Sequence, residues 1–206
     1  MRADGTGRGR TGQTVPMIRT TLRTADELTA HLEHLRAAPK EVGTLDLVVR
    51  RPAHGEREVL DEGVLDETDG LIGDNWLSRA TSRAVAEGRH LKAQVTVMSS
   101  RMVRLLADTD GECALAGDQL YVDLDISHTN LPAGTRIALG DPDQGGAVIE
   151  VSDKPHTGCA KFVRRFGPEA TSFVNSDAGR EMRLRGLNAR VVRGGTVRPG
   201  DPARKI

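Results

Sequence analysis

Aromatic side chains are scarce in this chain of 206 residues, which holds one Trp, one Tyr and three Phe. Its core must therefore be built from Val, Leu, Ile and Ala. Cysteine is scarcer still, with Cys113 and Cys159 alone. Two cysteines cannot form a disulfide framework or a four-thiolate zinc site, and a chain of this length needs neither to bury a core. No apolar run approaches the roughly 18 residues that cross a bilayer. The N-terminal residues lack the apolar stretch of a signal peptide. These absences lead to the expectation of a soluble, cytoplasmic protein with reduced cysteines and no membrane partner.

Net charge is also absent, with 29 basic and 29 acidic residues, but the balance is uneven along the chain. Residues 154–206 hold twelve Lys and Arg against four Asp and Glu, a surplus of eight that the rest of the chain offsets. Such an imbalance either pairs across the fold or forms a positive pocket for an anion such as a phosphate ester. Nucleic acid is not the expected partner, because the basic residues are not interleaved with aromatics.

Residues 1–16 are rich in Gly, Thr and Arg without apolar periodicity, which predicts a disordered tail. Residues 17–40 form a helical extension: Thr24 to Glu27 reads as a capping box, followed by Leu28, Leu32 and Leu35 on one helical face. From residue 41 to 206 the pattern is mostly that of short strands. They are expected over 43–50, 58–65, 94–98, 117–126, 135–139, 147–151 and 187–193, with a hairpin-like end over 194–201. Helices are expected at 100–107, at 160–166 and at 168–174, the last two parted by Gly167 and Pro168. Many short strands with few helices predict a mainly β, barrel-like or sandwich fold.

The segment with the most chemistry is Pro155-His156-Thr157-Gly158-Cys159, which runs into the helix Ala160-Lys161-Phe162-Val163-Arg164-Arg165-Phe166. A thiol at a helix start meets unpaired N–H groups and the positive end of the dipole, both of which favour thiolate. Lys161 and His156 add positive charge or hydrogen bonds. Thiolate attacks sulfur, carries a persulfide or ligates a soft metal. Gly158 leaves room for a ligand, and Lys161, Arg164 and Arg165 supply charge for an anion. The alternative is a cysteine that acts only as a small hydrophobe. Cys113, with no visible helix start or cation cluster beside it, is expected to be structural. His156 and Cys159 offer two metal ligands at best, and no zinc motif or Walker loop occurs.

The run from Pro155 to Gly167 resembles the cysteine segment of MOSC domains, the family named for the C-terminal domain of molybdenum cofactor sulfurase. Gly70-Leu71-Ile72-Gly73-Asp74, Ala116 to Leu120, Asn130 to Gly134, Leu184 to Leu187 and Gly195 to Asp201 resemble further motifs of that family, in the same order. The resemblance covers roughly residues 41–203. It implies a barrel-like MOSC fold and binding of the molybdenum cofactor (molybdopterin). It further implies Cys159 as sulfur carrier or molybdenum ligand, with His156 tuning the thiol or donating a proton. Lys161, Arg164, Arg165 and Arg185 would hold the anionic part of the cofactor beside Gly158. A separate pyridoxal-phosphate cysteine desulfurase would supply sulfur and a molybdoenzyme would accept it. Two other roles stay open: a binding module without chemistry for a phosphorylated pterin or other anion, and a reductase of N-hydroxylated compounds.

Overall fold

The computed structural model describes residues 22–206; the tail expected over 1–16 lies outside them. Eleven strands are present among the described residues: β1 (Val42–Arg50), β2 (Glu58–Leu60), β3 (Gly63–Asp66), β4 (Gly70–Leu71), β5 (Val95–Ser99), β6 (Leu120–Asp123), β7 (Arg136–Leu139), β8 (Ala147–Val151), β9 (Leu187–Arg193), β10 (Gly195–Val197) and β11 (Pro202–Lys205). Seven of them close a barrel in the order β11-β7-β8-β9-β5-β6-β1, with β1 pairing back onto β11. Neighbours are antiparallel except β5 and β6, which run parallel. A parallel pair needs a crossover. Here α4 (Ser100–Leu106), α5 (Asp110–Cys113) and a short turn over 114–116 supply it, after α1 (Ala25–Ala30), α2 (Leu32–Arg36) and α3 (Ser82–Ala86) earlier in the chain. Strands β10, β3 and β4 make a small separate sheet.

Strand periodicity sorts the apolar residues into two cores. Val95 and Val97 of β5, Leu120 and Val122 of β6, and Ile149 and Val151 of β8 point into the barrel. Met98, Tyr121, Leu47 and Val49 point outward, where Met102, Phe162, Phe166, Ala170 and Leu184 cover them. β6 is therefore buried on both faces, not half-buried as its alternation predicts. A bulge between Leu45 and Leu47 lets β1 follow the barrel.

The basic helix is α6 (Ala160–Asn175), followed by α7 (Asp177–Glu181). Gly167 breaks α6 with a φ of 85°, in the left-handed region that suits glycine, just before Pro168. The first segment buries Phe162 and Phe166, whose rings meet at 4.9 Å, against the barrel wall.

Three local expectations need correction. The single strand expected over 58–65 is two, because Asp61 and Glu62 interrupt the pairing. Cys113 does end a helix: α5 starts with a capping box in which Thr109 and Glu112 bond each other's backbone N–H. The hairpin-like end extends into β11, the strand that closes the barrel.

Candidate functional site

The N-terminal end of α6 faces the junction of the barrel with the segment joining β1 to β2. Cys159 is the helix N-cap residue and is exposed. Its carbonyl accepts from the N–H groups of Phe162 and Val163, at 2.8 and 3.0 Å. The sulfur makes no capping hydrogen bond. Partial burial works against ionisation of the thiol. The nearby N–H groups of Phe162 and Lys161, with the charges of Arg185 and Lys161, outweigh it and hold the thiol below its ordinary range. Cys113 is the opposite case: burial pushes it up to about 11.

The loop before Cys159 is pinned from two sides. Gly158 donates its N–H to Asn175 Oδ1 at 2.9 Å, and its carbonyl accepts from the same side-chain amide. Asn188 donates to the carbonyls of Lys154 and Pro155, both at 3.1 Å. Gly158 thus ties the loop to the far end of α6.

The loop turns His156 inward, away from solvent. Its Nδ1 lies 3.4 Å from Asp118 Oδ1, too poorly directed to be a hydrogen bond, so both atoms are buried without a partner. Arg185 bonds the other Asp118 oxygen at 2.6 Å and the Ala116 carbonyl at 3.0 Å. Its guanidinium lies 5.0 Å from the centroid of the Phe162 ring. Burial, and then the charge of Arg185, lower the His156 pKa to about 4, against the opposing pull of Asp118. His156 is therefore neutral at pH 7. Among the described residues no hydrogen bond or ion pair joins it to Cys159.

Lys161, Arg164 and Arg165 meet in a cavity of about 230 Å³. Its other wall comes from Arg51, His54 and Arg57 after β1, and from Asn75 and Arg79 after the Gly70-to-Asp74 motif. One carboxylate, Asp74, stands behind this wall, and Arg51 already occupies both of its oxygens, at 2.7 and 2.8 Å. Among the described residues Arg57, Arg79, Lys161 and Arg164 enter no ion pair. Arg165 donates to the Leu115 carbonyl. Arg57 and Arg165 crowd over Gly117: a Cβ there would lie 3.2 Å from one guanidinium and 3.5 Å from the other. Burial, and then repulsion from Arg165 and Arg51, bring Arg57 down to about 10. Arg57 Nε and Asn75 Oδ1 are buried in this wall without hydrogen-bond partners.

Of the residues singled out in the sequence, Lys161, Arg164 and Arg165 line the cavity. Cys159 sits on the same helix, close enough that its charge acts on Arg165. Gly158, His156 and Arg185 lie behind Cys159, outside the cavity lining. The sequence reading missed Arg51, Arg57, Arg79 and Asn75. Asn75 directly follows a motif already in view, the one that ends at Asp74, and that adjacency was the one available signal.

No family model matches the chain, and none of the curated proteins does. Among solved structures the chain is similar to the YuaD protein of Bacillus subtilis, at 17% identity and a TM-score of 0.53. That likeness covers 79% of this chain and 94% of YuaD. A looser likeness to YiiM of Escherichia coli has 18% identity and a TM-score of 0.48, over 79% of this chain and 69% of YiiM. The barrel is MOSC-like. At 17% identity the likeness to YuaD speaks for the fold alone. Among the described residues no helix is long and apolar enough to cross a membrane.

Proposed function

We propose that this MOSC-like protein binds the molybdenum cofactor and uses Cys159 as a sulfur carrier or molybdenum ligand. One observation carries the proposal: an exposed thiol held toward thiolate lies on the same helix as a cavity whose cations outnumber its acids. The residues present fit such a ligand. Lys161, Arg164 and Arg165 would hold its anionic end, helped by Arg57 and Arg79 across the cavity. Among the described residues no three His, Cys, Asp or Glu gather where they could hold a metal ion. A metal here would therefore come with its own organic ligand and take Cys159 as the protein's contribution. When bound, the cofactor would supply a metal centre that accepts sulfur or exchanges electrons.

In sulfur transfer the Cys159 thiolate attacks the outer sulfur of a donor persulfide. A new S–S bond forms at Cys159, the donor's S–S bond breaks, and the donor leaves as thiolate. A pyridoxal-phosphate cysteine desulfurase is the donor that fits this chemistry, and a molybdoenzyme the acceptor. Arg185, anchored on Asp118, helps to lower the pKa of Cys159. His156 stays neutral, buried behind Cys159.

The test is intact-mass and metal analysis of the wild-type chain and Cys159→Ser, each incubated with desulfurase and cysteine and then with molybdenum cofactor. A mass gain of one sulfur, or bound molybdenum, that vanishes in the variant is the expected result. Neither adduct nor metal in the wild type would sink the proposal. It would leave the non-catalytic anion-binding module, which the withdrawal of His156 from Cys159 favours.

A further inference from the structure

The cavity beside α6 has more positive groups than a single phosphate can satisfy. Arg57, Arg79, Lys161 and Arg164 converge on it from three separate stretches of chain, and among the described residues no carboxylate lines it. A phosphate monoester brings three terminal oxygens and a charge of about −1.5 to −2. Each guanidinium presents a fork of donors that pairs two oxygens at once. The three guanidiniums and the Lys161 ammonium, on opposite walls, together carry about twice that charge. Arg57 Nε adds a buried donor without a partner. The volume of about 230 Å³ lies below the roughly 300 Å³ of the smallest drug-sized sites, which suits a head group whose remainder extends outward.

We infer that this cavity is a site for two adjoining phosphoryl groups, with Arg57 and Arg79 on one wall and Lys161 and Arg164 on the other. The inference deepens the function proposed above and rests on its reading of the cavity as the anion site, but not on sulfur chemistry at Cys159. The second phosphoryl group fills the half of the cavity that Arg57 and Arg79 define. It also relieves the mutual repulsion of Arg57 and Arg165. The group could be free diphosphate or the diphosphate of a nucleotide-linked ligand; the chemistry recognised is the same.

The test is calorimetric titration of the full chain with orthophosphate, AMP, inorganic diphosphate and ADP at one ionic strength. Diphosphate and ADP are expected to bind about tenfold or more tightly than orthophosphate and AMP, since each gains further charge-assisted bonds. Arg79→Ala, at an exposed residue whose loss spares the core, should remove most of that advantage. Arg190→Ala, in a separate concavity where the guanidinium pairs Glu150, should leave it intact. ADP exceeding diphosphate assigns a nucleotide-linked ligand, and the reverse assigns the free ion. Equal affinity for one and two phosphoryl groups would overturn the inference. So would equal weakening by Arg79→Ala and Arg190→Ala, which marks adventitious charge. A protein that loads sulfur on Cys159 yet shows no preference for diphosphate refutes this inference and leaves the proposed function standing. One that prefers diphosphate but takes neither sulfur nor metal does the opposite.

Discussion

Of two concavities on this barrel, the larger is the less informative. It has about 430 Å³ and is lined by Lys92, Glu150, Asp153 and Arg190 among others. Its charges are matched: Lys92 meets Asp153 at 2.8 Å, and Glu150 receives Arg190 at 2.6 Å and Arg136 at 3.2 Å. The cavity beside α6 has about half that volume, gathers its cations without matching acids, and leaves polar atoms unbonded. Volume alone does not mark a ligand site. Unmatched charge and unused hydrogen-bonding capacity, which folding alone does not favour, mark it better.

The contrast predicts unequal costs of breaking ion pairs. Asp74→Ala removes the partner of a nearly buried guanidinium and should cost about 3–5 kcal/mol in denaturant unfolding. Glu150→Gln in the larger concavity breaks half-exposed pairs and should cost less than about 1 kcal/mol. Equal costs would erase the distinction between the two regions.

A second expected difference lies between the cysteines. At neutral pH an alkylating reagent should modify Cys159 at least about two orders of magnitude faster than Cys113, because only the thiolate reacts. Mass spectrometry after timed quenching reads the two sites separately. Comparable rates would mean that the helix end does not favour the thiolate.

Multivalent anions should stabilise the native chain. Diphosphate at about a hundred times its dissociation constant adds about 2.7 kcal/mol, or several degrees in Tm for a chain of this size. Charge reversal at Arg79 should abolish the gain, and charge reversal at Arg190 should not.

A further expected effect is acid sensitivity. His156 has a folded pKa of about 4, below its ordinary 6.5. Its neutral form favours the native state, so its contribution is complete above pH 6.5 and is lost as pH falls toward 4. The slope is at most about 1.4 kcal/mol per pH unit. His156→Gln should flatten the stability profile across that window, and an unchanged profile would show that His156 is not held neutral.

The fold was largely legible because most barrel strands carry an apolar pattern of their own. Gly167 and Pro168 marked the break in α6 equally plainly. β11 was not legible: in Pro202-Ala203-Arg204-Lys205 Ala203 alone is buried, and its partners β1 and β7 make it a strand. Half of the cavity was legible for a similar reason. Lys161, Arg164 and Arg165 lie together in sequence, whereas Arg57 and Arg79 reach them only through barrel closure. Sequence adjacency also overstated the link between His156 and Cys159. Three residues apart on a helix they would share a face, but the loop is extended and pinned, and it sends one side chain inward and the other out. Arg185, expected among the anion's contacts, instead spans Asp118 and Ala116 beneath Phe162.

The turn between α5 and β6 is a ruler for positive charge. Three successive carbonyls, of Leu115, Ala116 and Gly117, hold Arg165, Arg185 and Arg51 in that order. Main-chain oxygens do not depend on which side chains the turn carries, so the spacing between two cavity arginines and the one behind Cys159 is written in backbone length. Replacing Leu115 with another residue leaves that spacing untouched. Deleting one residue would hand each arginine its neighbour's acceptor, and the thiol and the cavity would fall out of step together.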